Sequence, residues 1–158
     1  MKARSLSHRL LAAWALLLTA LVLAGCFSAR KGADKAQQKV ADAQAAIATN
    51  KRIHPTRLIL DHLGWLGHFD HIYALDLFSP RLPHKAAMIE RLMQDQQIPA
   101  TQAVYIGDRP EDGHSADANK LPFIAATWGY GSIAPEEMPP HWRAVGTPDA
   151  MLAALLAD

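Results

Sequence analysis

The 158-residue chain has a single cysteine, Cys26. No intramolecular disulfide can form, and a cysteine-rich zinc site is excluded. The chain also lacks an excess of charge of either sign, with 16 Lys and Arg against 15 Asp and Glu. Three of the basic residues, Lys2, Arg4 and Arg9, fall in the first nine positions. The remainder holds no basic stripe to track a phosphate backbone, so nucleic-acid binding is not expected. The histidines adopt no metal-binding spacing such as HExxH: His68 and His71 flank Phe69-Asp70, and the others are scattered. What the chain does have is apolar matter, 50% of its composition. That suffices for the packed core of one ordinary domain.

The N-terminus is organised differently from the rest. A short basic stretch, Met1 to Arg9, precedes an unbroken apolar run, Leu10 to Leu23, and then Ala24-Gly25-Cys26. Basic, apolar and small segments in that order form the layout of a secretory signal. The ending Leu23-Ala24-Gly25-Cys26 resembles the bacterial lipobox. That resemblance implies a signal peptide over residues 1–25, cleavage before Cys26, lipidation of its sulfur, and a membrane anchor, since each buried methylene adds roughly 0.8 kcal/mol. Phe27, where an aspartate would signal inner-membrane retention, points to the outer membrane on the periplasmic side. An uncleaved anchor helix over Leu10 to Phe27 and a buried core helix are the other readings of the run. If the N-terminus is not used for export, the protein is cytoplasmic.

Residues 26–44 read as a helical tether. Ser28 to Ala48 is rich in Ala, Gln and Lys, good helix formers. Ala36, Val40, Ala43 and Ile47 make one narrow stripe. From Ala45 onward, residues 45–158, strands and helices alternate. Strands are expected at Ala45 to Ala48, Ile72 to Leu75, Ala103 to Ile106, Pro122 to Thr127 and Ala144-Val145. Helices are expected at Pro55 to Leu63, His84 to Gln97, Asp112 to Lys120 and from Thr147-Pro148 to Leu156. That alternation predicts an α/β domain with a parallel sheet between two helical layers.

Such a sheet places its site at the carboxyl ends of the strands. Three groups of residues fall there. Thr49 ends the first of these strands, Lys85 opens the helix after the second, and Gly107-Asp108-Arg109-Pro110-Glu111-Asp112 follows the third. A hydroxyl and the N–H after it can hold phosphate oxygens. A lysine can neutralise a phosphoryl group. Two carboxylates four apart can hold Mg²⁺, which takes oxygen ligands. Gly107 lets the backbone turn tightly above the strand.

These residues resemble motifs of the haloacid-dehalogenase-type (HAD) hydrolases. Thr49-Asn50-Lys51 is similar to the second motif, Lys85 in Pro83-His84-Lys85 to the third, and Asp108 and Asp112 in GDRPED to the fourth. The stretches HFDHIY, AVYIGDRPEDG and PFIAATWGYGS fit the phosphoglycolate-phosphatase-like branch. The resemblance implies a HAD-like Rossmannoid three-layer domain acting on phosphate monoesters with Mg²⁺. It implies that Thr49, Asn50 and Lys85 bind phosphate, either on a small phosphorylated molecule or free. It also implies that Asp108 ligates Mg²⁺, that Asp112 ligates it or orients its shell, and that Lys85 positions phosphoryl group and nucleophile.

The family's first motif, Asp-x-Asp-x-Thr/Ser, has no counterpart here. It supplies the nucleophile from a first, central strand upstream of Thr49. Asp34 and Asp42 stand in a helix-like stretch, and Asp76-Leu77-Phe78-Ser79-Pro80 is only a faint likeness in the wrong place. The sequence therefore predicts a partial core lacking its nucleophile strand and impaired in catalysis, whose flanking strands either pair directly or take a neighbour from another segment or from a partner protein. Two rival readings are an outer-membrane lipoprotein with a binding or structural role, and a chimera of a lipoprotein start and a phosphatase end. On the lipobox reading, Cys26→Ala should release the protein from membranes or leave it unprocessed. Fractionation and migration identical to the parent would refute it.

Overall fold

The computed structural model describes residues 20–23, 43–131 and 133–157. The described strands are β1 (Ala20–Leu23), β2 (Gln44–Thr49), β3 (His71–Ala74), β4 (Ala103–Gly107), β5 (Phe123–Ala126) and β6 (Arg143–Val145). The helices are α1 (Ile53–His62), α2 (Lys85–Asp95), α3 (Pro110–Ala118) and α4 (Pro148–Ala157). All strands join one sheet in the order β3-β2-β1-β4-β5-β6.

Side-chain alternation along the strands builds the three layers. Ala46 and Ala48 of β2, Tyr105 of β4 and Phe123 of β5 face one cluster, which α2 completes with Met88, Ile89 and Leu92. The intervening residues face the other way. Ile106 and Ile124 meet Met151 and Ala154 of α4, and Ile47 meets Leu60 of α1. Strands buried on both faces read as continuous apolar runs, which is how IATN, VYIG and FIAA read in sequence. Outside this core, α1 ends at Gly64, whose φ of +69° only glycine adopts freely.

The helices and strands expected from the sequence are present with shifts of one or two residues at their ends. Three expectations need correction. First, the sheet is mixed rather than parallel. The pairs β2–β3, β4–β5 and β5–β6 are parallel, but β1 runs antiparallel to both β2 and β4. Second, the flanking strands do not pair with each other: another segment of this chain lies between them. Ala20 pairs with Ile47 on one side and Ile106 on the other, and Leu23 with Gln44 and Ala103. The filling segment is the end of the apolar run that reads as a secretory signal. An unbroken apolar stretch suits a strand covered on both faces as well as it suits a signal, and periodicity does not separate the two. Third, Ile47 and Gln44 belong to β2, not to a tether helix. Two strands flanking an empty slot would leave buried N–H and C=O groups unpaired at about 1–3 kcal/mol each, which the β1 ladder avoids. Ala36, Val40 and Cys26 lie outside the described residues. Among those described, no helix is long and apolar enough to cross a membrane.

Val22 pairs with Ala45 and Val104 in the middle of the sheet. Val22→Pro removes a ladder donor from a strand with neighbours on both sides and should cost about 3 kcal/mol or more. Urea denaturation measures this, and an unchanged midpoint would mean that the sheet does not depend on β1.

Candidate active site

Two strand ends and one helix start converge at the carboxyl edge of the sheet. β2 ends at Thr49, β4 runs into Asp108, and α2 begins at Lys85. All are inside the protein: Thr49 is 3% exposed, Lys85 6%, Asp108 7% and Asp112 1%. Buried polar side chains persist only when they are paired, and here the pairing builds the site.

Lys85 reaches its position because α2 starts there. His84 is the N-cap, its Nδ1 accepting from the Ala87 N–H at 3.1 Å. The ammonium of Lys85 forms an ion pair with Oδ1 of Asp112. The other oxygen of Asp112 accepts the backbone N–H groups of Asp108 and Arg109, each at 3.2 Å. Asp112 sits in the first turn of α3, where a carboxylate satisfies otherwise unpaired N–H groups and faces the positive end of the helix dipole. Burial raises the Asp112 pKa above its ordinary value of 3.8, while the Lys85 charge and hydrogen bond and the Arg109 N–H pull it back down. Gly107 is required by this packing, since a Cβ there would overlap the Asp112 side chain.

Asp108 is fixed from the opposite side. Its Oδ2 accepts the Gly131 N–H at 2.8 Å from the loop after β5. A Cβ on Gly131 would run into the Arg109 side chain and stand 2.7 Å from the Asp108 carbonyl oxygen. Thr49 Oγ1 accepts the Lys51 N–H at 3.1 Å, which holds the hydroxyl at the strand end. Asn50 bonds Glu111 across the cleft at 3.0 Å, tying the loop after β2 to the start of α3.

Of the residues expected from the sequence, Thr49, Lys85, Asp108 and Asp112 come together as one buried group, with Asn50 on its rim. Asp76 does not belong to it. Its Oδ1 accepts the Ile53 N–H at 2.8 Å, capping α1, and its Oδ2 accepts from Arg52. The Ile53 N–H holds its pKa below the ordinary value, helped by Arg52. Sequence reasoning missed Gly131 as the clamp on Asp108. The segment TWGYG flagged the stretch, but nothing in its pattern says which N–H points at Asp108.

The donor set bears on Mg²⁺. Both oxygens of Asp112 are engaged, Oδ1 by Lys85 and Oδ2 by the N–H groups of Asp108 and Arg109. Oδ1 of Asp108 accepts no hydrogen bond from the described residues. No cluster of three His, Cys, Asp or Glu able to hold a metal occurs among them. The arrangement fits an ion held through Asp108, water and phosphate oxygens, the usual habit of Mg²⁺, and not an all-protein cage.

Residues 29–126 match the family model described as "Haloacid dehalogenase-like hydrolase". The match starts upstream of Ala45, inside the segment that reads as a tether. A phosphoglycolate phosphatase of Xylella fastidiosa is 35% identical over 98 residues, covering 62% of this chain and 42% of that protein. A 5'-nucleotidase of Pseudomonas aeruginosa is 33% identical over 86 residues, covering 54% and 38%. The chain thus spans less than half the length of these curated relatives. The crystal structure of a predicted phosphatase from Clostridium acetobutylicum superposes with a TM-score of 0.67 at 28% identity, over 78% of this chain and 58% of that one.

Removing Lys85 tests the buried pair. In Lys85→Met, Asp112 loses the group that lowers its pKa and becomes an uncompensated buried charge, costing about 3–5 kcal/mol at pH 7. The Asp112 pKa is higher folded than unfolded, so the folded state takes up its proton first as pH falls. The penalty should shrink from pH 7 towards pH 4, and adding Asp112→Asn should recover part of it. Denaturation of the three variants across that range measures both effects.

Proposed function

The chain belongs to the haloacid dehalogenase-like hydrolases, and from that premise we propose that it carries a phosphate-monoester site whose catalytic power is reduced. Lys85 supplies positive charge towards a bound phosphoryl group. The Thr49 hydroxyl and the N–H groups after it supply donors to its oxygens. Asp112 holds Lys85 in place and the loop after β4 in shape. Phosphatases of this family generally use Mg²⁺, and Asp108 would hold that ion, which would neutralise phosphoryl charge.

The observation that carries the reduced-activity reading is the direction of β1. Because the strand is antiparallel to its neighbours, its first residue, Ala20, is the one nearest the site. The sequence from Met1 to Ala20 contains no aspartate or glutamate. On this reading the central strand brings no carboxylate to the phosphoryl group, and an aspartyl-phosphate intermediate would have no residue on that strand to form on. Asp34 and Asp42 lie beyond the other end of the strand in sequence.

The same strand favours retention of the N-terminus over export. Cleavage before Cys26 would take β1 out of the sheet, which supports reading the chain as uncleaved. The lipoprotein reading requires a core that manages without β1.

The full chain should show no Mg²⁺-dependent hydrolysis of phosphoglycolate or p-nitrophenyl phosphate above background. Uncatalysed monoester hydrolysis is slow enough that even weak turnover is visible. It should still bind inorganic phosphate, and Thr49→Val should weaken that binding about tenfold, the effect of one hydrogen bond to a charged group. Turnover abolished by Asp76→Asn would overturn the assignment of Asp76 to capping and the reduced-activity reading with it.

A further inference from the structure

Tyr130 is 91% exposed, the most exposed large apolar side chain among the described residues. Large aromatics are generally at least half buried, because an exposed ring forgoes its burial free energy. The backbone that carries the ring is held from both sides. Before it, the Gly129 N–H bonds the Ala126 carbonyl at 3.1 Å, and Thr127 bonds Val145 of β6 through both its N–H at 3.0 Å and its hydroxyl at 3.1 Å. After it, the Gly131 N–H bonds Asp108 Oδ2. Tyr130 therefore stands one residue from the clamp on the site carboxylate, on a loop anchored at each end.

The stem of Arg109, an exposed residue, packs so closely on Gly131, the residue after Tyr130, that no Cβ fits between them. The loops after β4 and β5 thus meet at Gly131, next in sequence to the exposed phenol ring. The other exposed large apolar residues do not extend this into a protein-docking patch: Leu58 and Leu63 are on or just past α1, and Leu77 follows β3, across β2, β1 and β4 from the Tyr130 loop. An isolated ring matches a small flat ligand.

We propose that Tyr130 is a specificity-determining residue that stacks on a planar leaving group, so that the preferred ligand is a nucleoside monophosphate and not an aliphatic phosphate ester. This rests on the phosphate-site reading above. A base has a π-face for the ring whatever its identity, and an aliphatic ester has none.

Calorimetry on the full chain with AMP, ribose 5-phosphate and inorganic phosphate tests this. The parent should bind AMP about tenfold more tightly than ribose 5-phosphate, which differs by lacking the base. Tyr130→Ala should bring that ratio close to one, and Tyr130→Phe, which keeps the ring, should preserve it. The alanine variant loses little packing, because the side chain it removes is almost wholly in solvent. If both esters bind and the ratio is one in the parent, or is unmoved by Tyr130→Ala, the role of Tyr130 is overturned and the phosphate site stands. If neither ester nor phosphate binds, the phosphate site fails, and this proposal with it.

Discussion

The buried Lys85–Asp112 ion pair is the interaction on which the site is built. It joins α2 to α3, two helices far apart in sequence, over the ends of β2 and β4. Each partner makes the other tolerable inside the protein. Either alone would be an uncompensated charge, costing several kcal/mol. Asp112 then uses its second oxygen on the N–H groups of Asp108 and Arg109. One carboxylate thereby fixes a cation, a helix terminus and the backbone of the loop that carries Asp108. Gly107 follows from this, because the strand must pass directly under the Asp112 side chain.

The other constraint is the slot between β2 and β4. Two strands buried on both faces need a neighbour, and the chain provides one from an apolar segment. Backbone pairing is satisfied by almost any apolar sequence in either direction. Chemistry at a strand end depends on direction and on one side chain. A completed sheet therefore does not by itself complete a reaction centre, because fold and activity place different demands on the same position.

Much of this was legible in the sequence. IATN, VYIG and FIAA are short apolar runs punctuated by Asn, Gly and Pro, and they mark the strands. Thr49, Lys85, Asp108 and Asp112 could be assigned to one edge because α/β alternation places strand ends there. Two features were not legible. The apolar run ending at Leu23 reads as a signal, an anchor or a core helix, and composition alone does not reveal that its end also pairs as a strand. The Gly131 clamp depends on where a loop folds back in space, and glycine spacing does not encode that. Asp76 illustrates the converse: a faint likeness to the first motif drew attention to it, its position spoke against it, and its carboxylate caps the start of α1.

The reversed direction of β1 also fixes how the protein can be held. The chain enters the sheet at the edge that carries Thr49 and Asp108 and leaves β1 at the opposite edge. A support, fluorophore or affinity handle attached at Ala20 itself stands at the cleft edge, and one attached at Leu23 stands at the edge opposite. For immobilising this protein on a surface, the choice of attachment point is thus also a choice of whether the cleft faces the surface or the solvent.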